Sequence, residues 1–156
     1  MNHIKQEQTF EAVQHFLLAR ERSVQKRQAL LDTLTEEVNK ENRRWTTTQL
    51  HILSLINSSQ GGMNNASLAA ELNISKPAVT KAVNILIEHH LVLTSKKSDN
   101  HKELYYNVTD EGRKLAAVHD RMHQQLKERY NQLFDAFSEE ELDVVIRFLN
   151  AWSQLL

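Results

Sequence analysis

The chain contains no cysteine among its 156 residues. This absence excludes disulfides, thiolate metal ligands, cysteine nucleophiles and redox sensing by thiols. Proline and glycine are also scarce, since the chain has one proline and three glycines, all of them beyond residue 60. Because both residues interrupt helices, their scarcity predicts long helices, above all in the N-terminal part.

Other absences bear on location and partners. The sequence has no apolar run near the roughly 18 residues that a membrane span needs, and its N-terminus lacks the apolar core of a signal peptide. We therefore expect a cytoplasmic protein. The formal net charge is −1, so nucleic-acid binding would require a local basic surface. We expect no enzyme, because no nucleophile–base pair or glycine-rich phosphate loop is visible.

Apolar residues recur at intervals of three and four in the N-terminal part, which predicts one long amphipathic helix with a break near residues 30–38. Arg20 and Arg27 occupy two positions of the same series. The stripe is too long to be covered by the rest of a small chain, so we expect a homodimer. A helix packed within its own subunit is the alternative. The apolar positions are Phe10, Val13, Leu17, Val24, Leu31, Leu34 and Val38.

The middle of the chain carries successive start signals for helices. Thr46 and Gln49 form a capping-box pair, and Asn64 or Asn65 precedes the short helical segment "ASLAAEL". Ser75 precedes "KPAVTKAVNILIEHH". Two strand-like runs, "LVLTSKK" and "KELYYNVT", then flank the polar tip "SDNH" and predict a β-hairpin. This order of elements predicts a winged helix-turn-helix.

The C-terminal part predicts two more helices. Thr109 caps one that runs to about Phe137, and the pair Ser138 and Glu141 starts the last, whose apolar stripe includes Val145 and Leu149. The predicted fold is mainly α with a small β-wing. Residues 1–45 form an N-terminal dimerisation helix and link, residues 46–110 the winged helix-turn-helix DNA-binding domain, and residues 111–156 the C-terminal dimerisation helices.

The helix after Ser75 has two contrasting faces. Its apolar stripe, which includes Val79, Val83 and Leu86, suits packing on a core, whereas the opposite face is polar. A recognition helix presents such a face to base edges and phosphates, although an ordinary solvated face is the alternative. A cationic hairpin beside it would suit the minor groove of DNA. The predicted DNA-binding residues are Ser75, Lys76, Thr80, Lys81, Asn84, Lys96, Lys97, His101 and Lys102.

The stretches "SLAAELNISKPAVTKAVNILIEHHLV" and "KELYYNVTDEGRKLA" resemble the MarR family of bacterial transcription regulators. The resemblance covers roughly residues 46–156. It implies a dimer that binds palindromic operators in double-stranded DNA. The family's Asp-x-Arg or Asp-Arg-Arg wing tip appears here as Asn100, His101 and Lys102. Lys102 keeps the charge of the arginine that enters the groove but lacks its planar fork.

His119 and His123 lie four residues apart, so on a helix both imidazoles share one face and could bind one metal ion. On spacing alone, a buried structural histidine at position 119 is the competing interpretation. Together with "TQLHIL", however, the pair is similar to the zinc-responsive, adhesin-competence repressor-like branch of the family. That resemblance implies Zn²⁺ bound by His51, His119 and His123, with Asp32 or Gln28 as a fourth ligand.

We therefore expect a sequence-specific transcriptional regulator, namely a zinc-responsive repressor of metal-uptake genes. A second metal site is not expected, because Leu50 and Val118 stand where relatives with that site carry ligands. The alternative is a MarR-type regulator that responds to a small aromatic or lipid-like ligand rather than to metal.

Overall fold

The computed structural model describes residues 3–36 and 43–156. The elements in chain order are α1 (His3–Thr35), α2 (Thr47–Ser58), β1 (Met63–Asn64), α3 (Asn65–Leu72), α4 (Lys76–Glu88), β2 (Val92–Lys97), β3 (Asn100–Val108), α5 (Asp110–Phe134) and α6 (Glu139–Ser153). The strands form an antiparallel sheet in the order β1-β3-β2. The chain divides into two compact units, residues 1–118 and 119–156, and α5 belongs to both. No helix in the described ranges combines the length and apolarity needed to cross a membrane.

The predicted helix starts are confirmed at the level of individual hydrogen bonds. Capping boxes at Thr46 and Ser138 open α2 and α6, and in each the side chain and backbone of the third helical residue complete the reciprocal pair. Asn64, rather than Asn65, caps α3, and Ser75 caps α4. The Thr109 hydroxyl accepts a hydrogen bond from the backbone N–H of Gly112 in the first turn of α5. Each cap satisfies a backbone donor that the helix itself cannot pair.

The core of the first unit lies beneath α2 and α3, which each pack on α4, and all three helices contact the sheet. The predicted stripe of α4 is confirmed, because Val79, Val83 and Leu86 are fully buried while the opposite face is exposed. The packing leaves the polar face of α4 in solvent. Fully buried aliphatic side chains of the other elements complete this core: Leu50, Ile52, Leu53, Leu68 and Val92.

The end of α4 departs from the prediction, which extended the helix through His90. The helix stops at Glu88, and His90 adopts a left-handed conformation with φ of 58°. The N–H of Leu91 then bonds to the carbonyl of Leu86, and the N–H of His90 to that of Ile87. These two bonds form a Schellman motif, in which the C′ position usually holds glycine. Local propensity did not reveal this stop because histidine occupies the position instead.

Two details of the sheet differ from the prediction. Met63 and Asn64, for which the sequence indicates no strand, form strand β1 by pairing with Tyr106 and Tyr105. A two-residue strand has no alternation to recognise, and only its partner strand defines it. The hairpin tip is also shorter than "SDNH": Ser98 and Asp99 form the turn, and β3 begins at Asn100. Asn100 and His101 therefore belong to a strand rather than to the tip.

The N-terminal helix is long and largely exposed. It ends at Thr35, inside the segment where the sequence predicts a break, while Val38 lies outside the described residues. Of its apolar stripe, Leu31 is buried in this single chain, whereas Phe10 and Leu17 are 62% and 44% exposed. In the second unit, α5 ends at Phe134 instead of about Phe137, and α6 has no buried residue. Both terminal helices thus present apolar surface to solvent.

Candidate nucleic-acid interface and metal centre

Helix α4 presents every predicted DNA-binding residue of its first turns on the exposed face: Ser75, Lys76, Thr80, Lys81 and Asn84 are all exposed. The Ser75 hydroxyl accepts a hydrogen bond from the N–H of Ala78 at 3.3 Å, so it serves first as a helix cap. Proline in the first turn is tolerated because Pro77 replaces a backbone N–H that lacks an intrahelical partner. The face is therefore polar, exposed and held on a packed scaffold, as contact with a groove requires.

Thr80 is less available than its exposure suggests. Its hydroxyl donates to the carbonyl of Lys76 at 3.0 Å and accepts from the amide of Asn65 at 2.8 Å. The same Asn65 amide approaches the Lys76 carbonyl at 3.4 Å. Asn65 thus links the start of α3 to the exposed face of α4, a role that sequence analysis missed. Only the approach of the two helices brings these residues together.

The hairpin formed by β2 and β3 carries three exposed lysines, Lys96, Lys97 and Lys102. The Nζ of Lys97 lies over the ring of Tyr105, 4.1 Å from its centroid. Strand pairing is irregular between Lys96 and Lys97, and Lys97 pairs with Asn100 at the turn. The wing therefore has a basic edge, as predicted, and one of its lysines is held by an aromatic ring.

A line of polar side chains crosses the sheet below this lysine. The Tyr105 hydroxyl donates to one oxygen of Glu103 at 3.1 Å, and the amide of Asn64 donates to the other at 2.6 Å. Asn64 also accepts from the N–H of Ser67 at 2.7 Å, which makes it the cap of α3. The Glu103 hydrogen bond, followed by burial and by the Glu103 charge, raises the pKa of Tyr105. Alternation in "ELYYN" places Glu103 and Tyr105 on one face, but nothing in the sequence reveals their partners.

Helix α5 places the two predicted metal-binding histidines side by side. The ring centroids of His119 and His123 lie 4.4 Å apart, with the ring planes at 74°. Two imidazoles bound to one tetrahedral zinc ion have centroids about 5 Å apart, given Zn–N bonds of about 2.0–2.1 Å. His119 is buried and His123 is exposed. The two imidazoles are therefore close enough for both to reach one ion, and imidazole nitrogen is a donor that zinc accepts.

The other predicted ligands lie in the first unit. His51 is half-buried on α2, and Gln28 and Asp32 are half-buried on α1. The amide of Gln28 donates to Asp32 Oδ1 at 2.8 Å, while Arg44 Nε lies 3.2 Å from Asp32 Oδ2. Both oxygens of Asp32 are thus engaged within this unit. Each oxygen keeps a further lone pair, so a metal ion bound by Asp32 would share the carboxylate with these two contacts.

Comparisons with known proteins place these features in context. A sequence model of the MarR family matches residues 45–104. The chain is 42% identical to the uncharacterized HTH-type transcriptional regulator YvnA of Bacillus subtilis, over 94% of each protein. The crystal structure of the adhesin competence repressor AdcR from Streptococcus pyogenes superposes with a TM-score of 0.69 at 28% identity, covering 96% of this chain and 95% of that one.

A further comparison is with a structure that contains DNA. The structure of a cysteine-to-serine mutant of Lactococcus lactis ZitR in complex with DNA matches with a TM-score of 0.61 at 32% identity, over 70% of this chain and 73% of that one. The winged helix-turn-helix, the extent of the match to YvnA and the family model agree with one another. The chain belongs to the MarR family of transcriptional regulators.

Proposed function

We propose that this MarR-family regulator is a zinc-responsive repressor that binds a palindromic operator as a homodimer. Zinc would be held by His51, His119 and His123, with Asp32 or Gln28 as the fourth ligand. The paired imidazoles of His119 and His123 are the observation on which the metal proposal rests.

Zinc suits this donor set. Borderline-soft Zn²⁺ binds imidazole nitrogen well, and three protein nitrogens leave room for a fourth oxygen ligand in a tetrahedron. Bound zinc would supply charge and a rigid cross-link, with no redox chemistry. His51 lies in the helix before α3 and α4, and the other two histidines follow the wing in sequence. Zinc would therefore restrain elements on both sides of the DNA-reading segment.

The DNA part of the proposal assigns roles by position. The exposed face of α4 would enter the major groove, with Lys76 and Lys81 bonding to phosphates or guanine and Asn84 to a base or the backbone. The lysines of the wing would approach the neighbouring minor groove, where the potential is most negative when the groove is narrow. In a dimer, the two recognition helices would lie about 34 Å apart, which is one turn of DNA.

A prediction follows for His123→Ala. We expect zinc to tighten operator binding of the wild-type protein by roughly 5- to 150-fold, the usual range for allosteric coupling. In the variant this gain should disappear, while affinity after chelator treatment should stay near wild type, since His123 is exposed. Operator affinity is measured by fluorescence anisotropy at fixed salt, with and without micromolar zinc, and zinc binding by calorimetry.

Two control variants make the result specific. His15→Ala removes an exposed histidine of α1 outside the proposed site and should leave both measurements unchanged. Lys81→Ala should weaken DNA binding while zinc binding persists. Asp32→Asn asks whether the carboxylate completes the site, because the amide keeps the shape but loses the charge. If wild-type operator affinity does not respond to zinc, the metal-sensing proposal fails, and a regulator responding to a small organic ligand takes its place.

A further inference from the structure

We propose that Tyr105 is a positioning residue for DNA binding, which holds the ammonium group of Lys97 at the edge of the wing for contact with a phosphate. Glu103 and Asn64 support it by anchoring the tyrosine to the start of α3. This inference rests on the proposed DNA-binding role of the wing and adds a residue that the sequence analysis did not include. Tyr105 itself needs no contact with DNA in this scheme.

The geometry forms a continuous chain of contacts across the sheet. Lys97 Nζ lies 4.1 Å from the Tyr105 ring centroid, Tyr105 bonds to Glu103 at 3.1 Å, and Glu103 bonds to Asn64 at 2.6 Å. Strand pairing supports the same arrangement, because Tyr105 stands opposite Asn64 of β1 on one side and Ser95 of β2 on the other. Asn64 caps α3, so the line ends on the helix-turn-helix itself.

The chemistry of each contact favours a fixed but available cation. A lysine side chain loses rotamer entropy when it is immobilised. Because Lys97 already lies over the Tyr105 ring in the free protein, it loses less rotamer entropy when DNA binds. The electron-rich face of the ring attracts the ammonium group without engaging all three of its N–H donors. Donors therefore remain available for phosphate oxygens. A phenol that donates to a carboxylate also carries more electron density in its ring, which strengthens the attraction.

The same contacts also hold the negatively charged Glu103 side chain of the wing in place. Glu103 directly follows Lys102 in the basic wing, and a freely projecting carboxylate would repel phosphates. Here its two oxygens accept from the Tyr105 hydroxyl and the Asn64 amide, and the side chain is half-buried. The Glu103 carboxylate is thus engaged by Asn64 at the start of α3 and by Tyr105, whereas Lys97 remains exposed.

The test is a double-mutant cycle on the full-length protein. Tyr105→Leu removes the ring, Tyr105→Phe retains it without the hydroxyl, and Lys97→Ala removes the cation. An exposed cation–π contact is worth about 0.5–1 kcal/mol, so we expect Tyr105→Leu to weaken operator binding about two- to fivefold and Tyr105→Phe to weaken it less. Lys97→Ala should also lower the salt dependence of binding, by about 0.9 in the log–log slope for each phosphate that is no longer neutralised.

The decisive readout is the interaction between the two sites. In the Lys97→Ala background, Tyr105→Leu should have no further effect, whereas in the Lys96→Ala background it should have its full effect. Lys96 is the matched control, an exposed lysine that precedes Lys97 on β2. A general loss of structure would make Tyr105→Leu weaken operator binding equally in the two backgrounds. Thermal melts and zinc binding of each variant show whether such a loss occurs.

The outcomes separate this inference from the function on which it rests. If Lys97→Ala changes neither affinity nor salt slope, the proposed contact of the wing with DNA is wrong at this position. If Lys97→Ala weakens binding but Tyr105→Leu weakens it equally in the Lys97→Ala and Lys96→Ala backgrounds, Lys97 contacts DNA without the tyrosine and the positioning role is overturned.

Discussion

Histidines in this chain serve different purposes according to their surroundings. His119 is buried next to the exposed His123, and their ring centroids lie 4.4 Å apart. His89, at the end of α4, instead accepts a hydrogen bond from Arg43 at 2.8 Å and packs edge-on against buried Trp45. The residue type alone therefore does not identify a ligand. What distinguishes His119 and His123 is that each has a second imidazole beside it on the same helix.

A single-residue prediction concerns the titration of Tyr105. Its pKa is raised above the ordinary value of 10.0, chiefly because its hydroxyl donates to Glu103. A group whose pKa is higher in the folded state contributes stability that is complete below about pH 10 and is lost as pH rises through the folded pKa. The near-ultraviolet difference titration between wild type and Tyr105→Phe should therefore place this tyrosine above the usual range.

The variant Glu103→Gln supplies the matching control. Without the carboxylate, the hydrogen bond and the repulsion that disfavour the phenolate are both weakened, so the pKa of Tyr105 should fall toward 10.0. A Tyr105 pKa that is ordinary in the wild type, or unmoved in this variant, would contradict the contact between the two side chains.

At the scale of elements, the connection between wing and α5 depends on close approach of backbones. The N–H of Thr109 bonds to the carbonyl of Leu91 at 3.0 Å, and the Thr109 hydroxyl donates to the carbonyl of His90 at 2.7 Å. These bonds join the end of β3 to the residues that follow α4. The start of α5 thereby lies against the residues that lead into β2, and Thr109 of the segment "VTDEG" makes this contact.

Gly112→Ala tests this close approach. Alanine normally stabilises a helix relative to glycine by about 1 kcal/mol. A Cβ at position 112, however, would collide with the backbone carbonyl of Leu91, which cannot rotate away. We expect a net destabilisation of about 1–3 kcal/mol, measured by urea denaturation. Ala117→Gly, at an exposed position of the same helix, should cost only the propensity difference, and a stabilised Gly112→Ala would disprove the predicted collision.

At the scale of the whole molecule, the terminal helices carry more exposed apolar surface than a monomer normally leaves in water. In α1, Phe10, Leu17 and Val24 are 62%, 44% and 48% exposed. In α6, Val145 and Leu149 are exposed as well. Such stripes mark surfaces for association. A second copy of the chain is the simplest cover for them, and a palindromic operator would require the same two-fold symmetry.

The proposed dimer makes a prediction for mass and for DNA binding together. Light scattering should give twice the chain mass of 18.1 kDa for the wild type. The double variant Leu17→Asp and Val24→Asp should shift the protein toward monomer, because buried charges without partners are costly, and operator affinity should fall with it. Arg22→Asp introduces aspartate on the opposite side of α1 and should leave the dimer intact. A wild-type protein that is monomeric at micromolar concentration would refute the dimer.

The amino-acid sequence by itself determined the features that depend on near neighbours. Caps at Thr46, Ser75 and Ser138 specify helix starts because their bonds span only three residues. Periodicity predicted the buried face of α4, and the helical repeat alone brought His119 beside His123. These interactions close within one turn of helix, so a linear pattern contains them.

Tertiary structure decided everything that depends on meetings between distant segments. Strand β1 exists because β3 pairs with it, and the line from Asn64 through Glu103 to Tyr105 exists because that pairing brings residues 64 and 103 together. The collision that makes Gly112 necessary likewise involves a carbonyl far away in sequence. The sequence shows that such residues are polar, glycine or aromatic. It does not show their partners, because these are distant in sequence and come together only when the core packs.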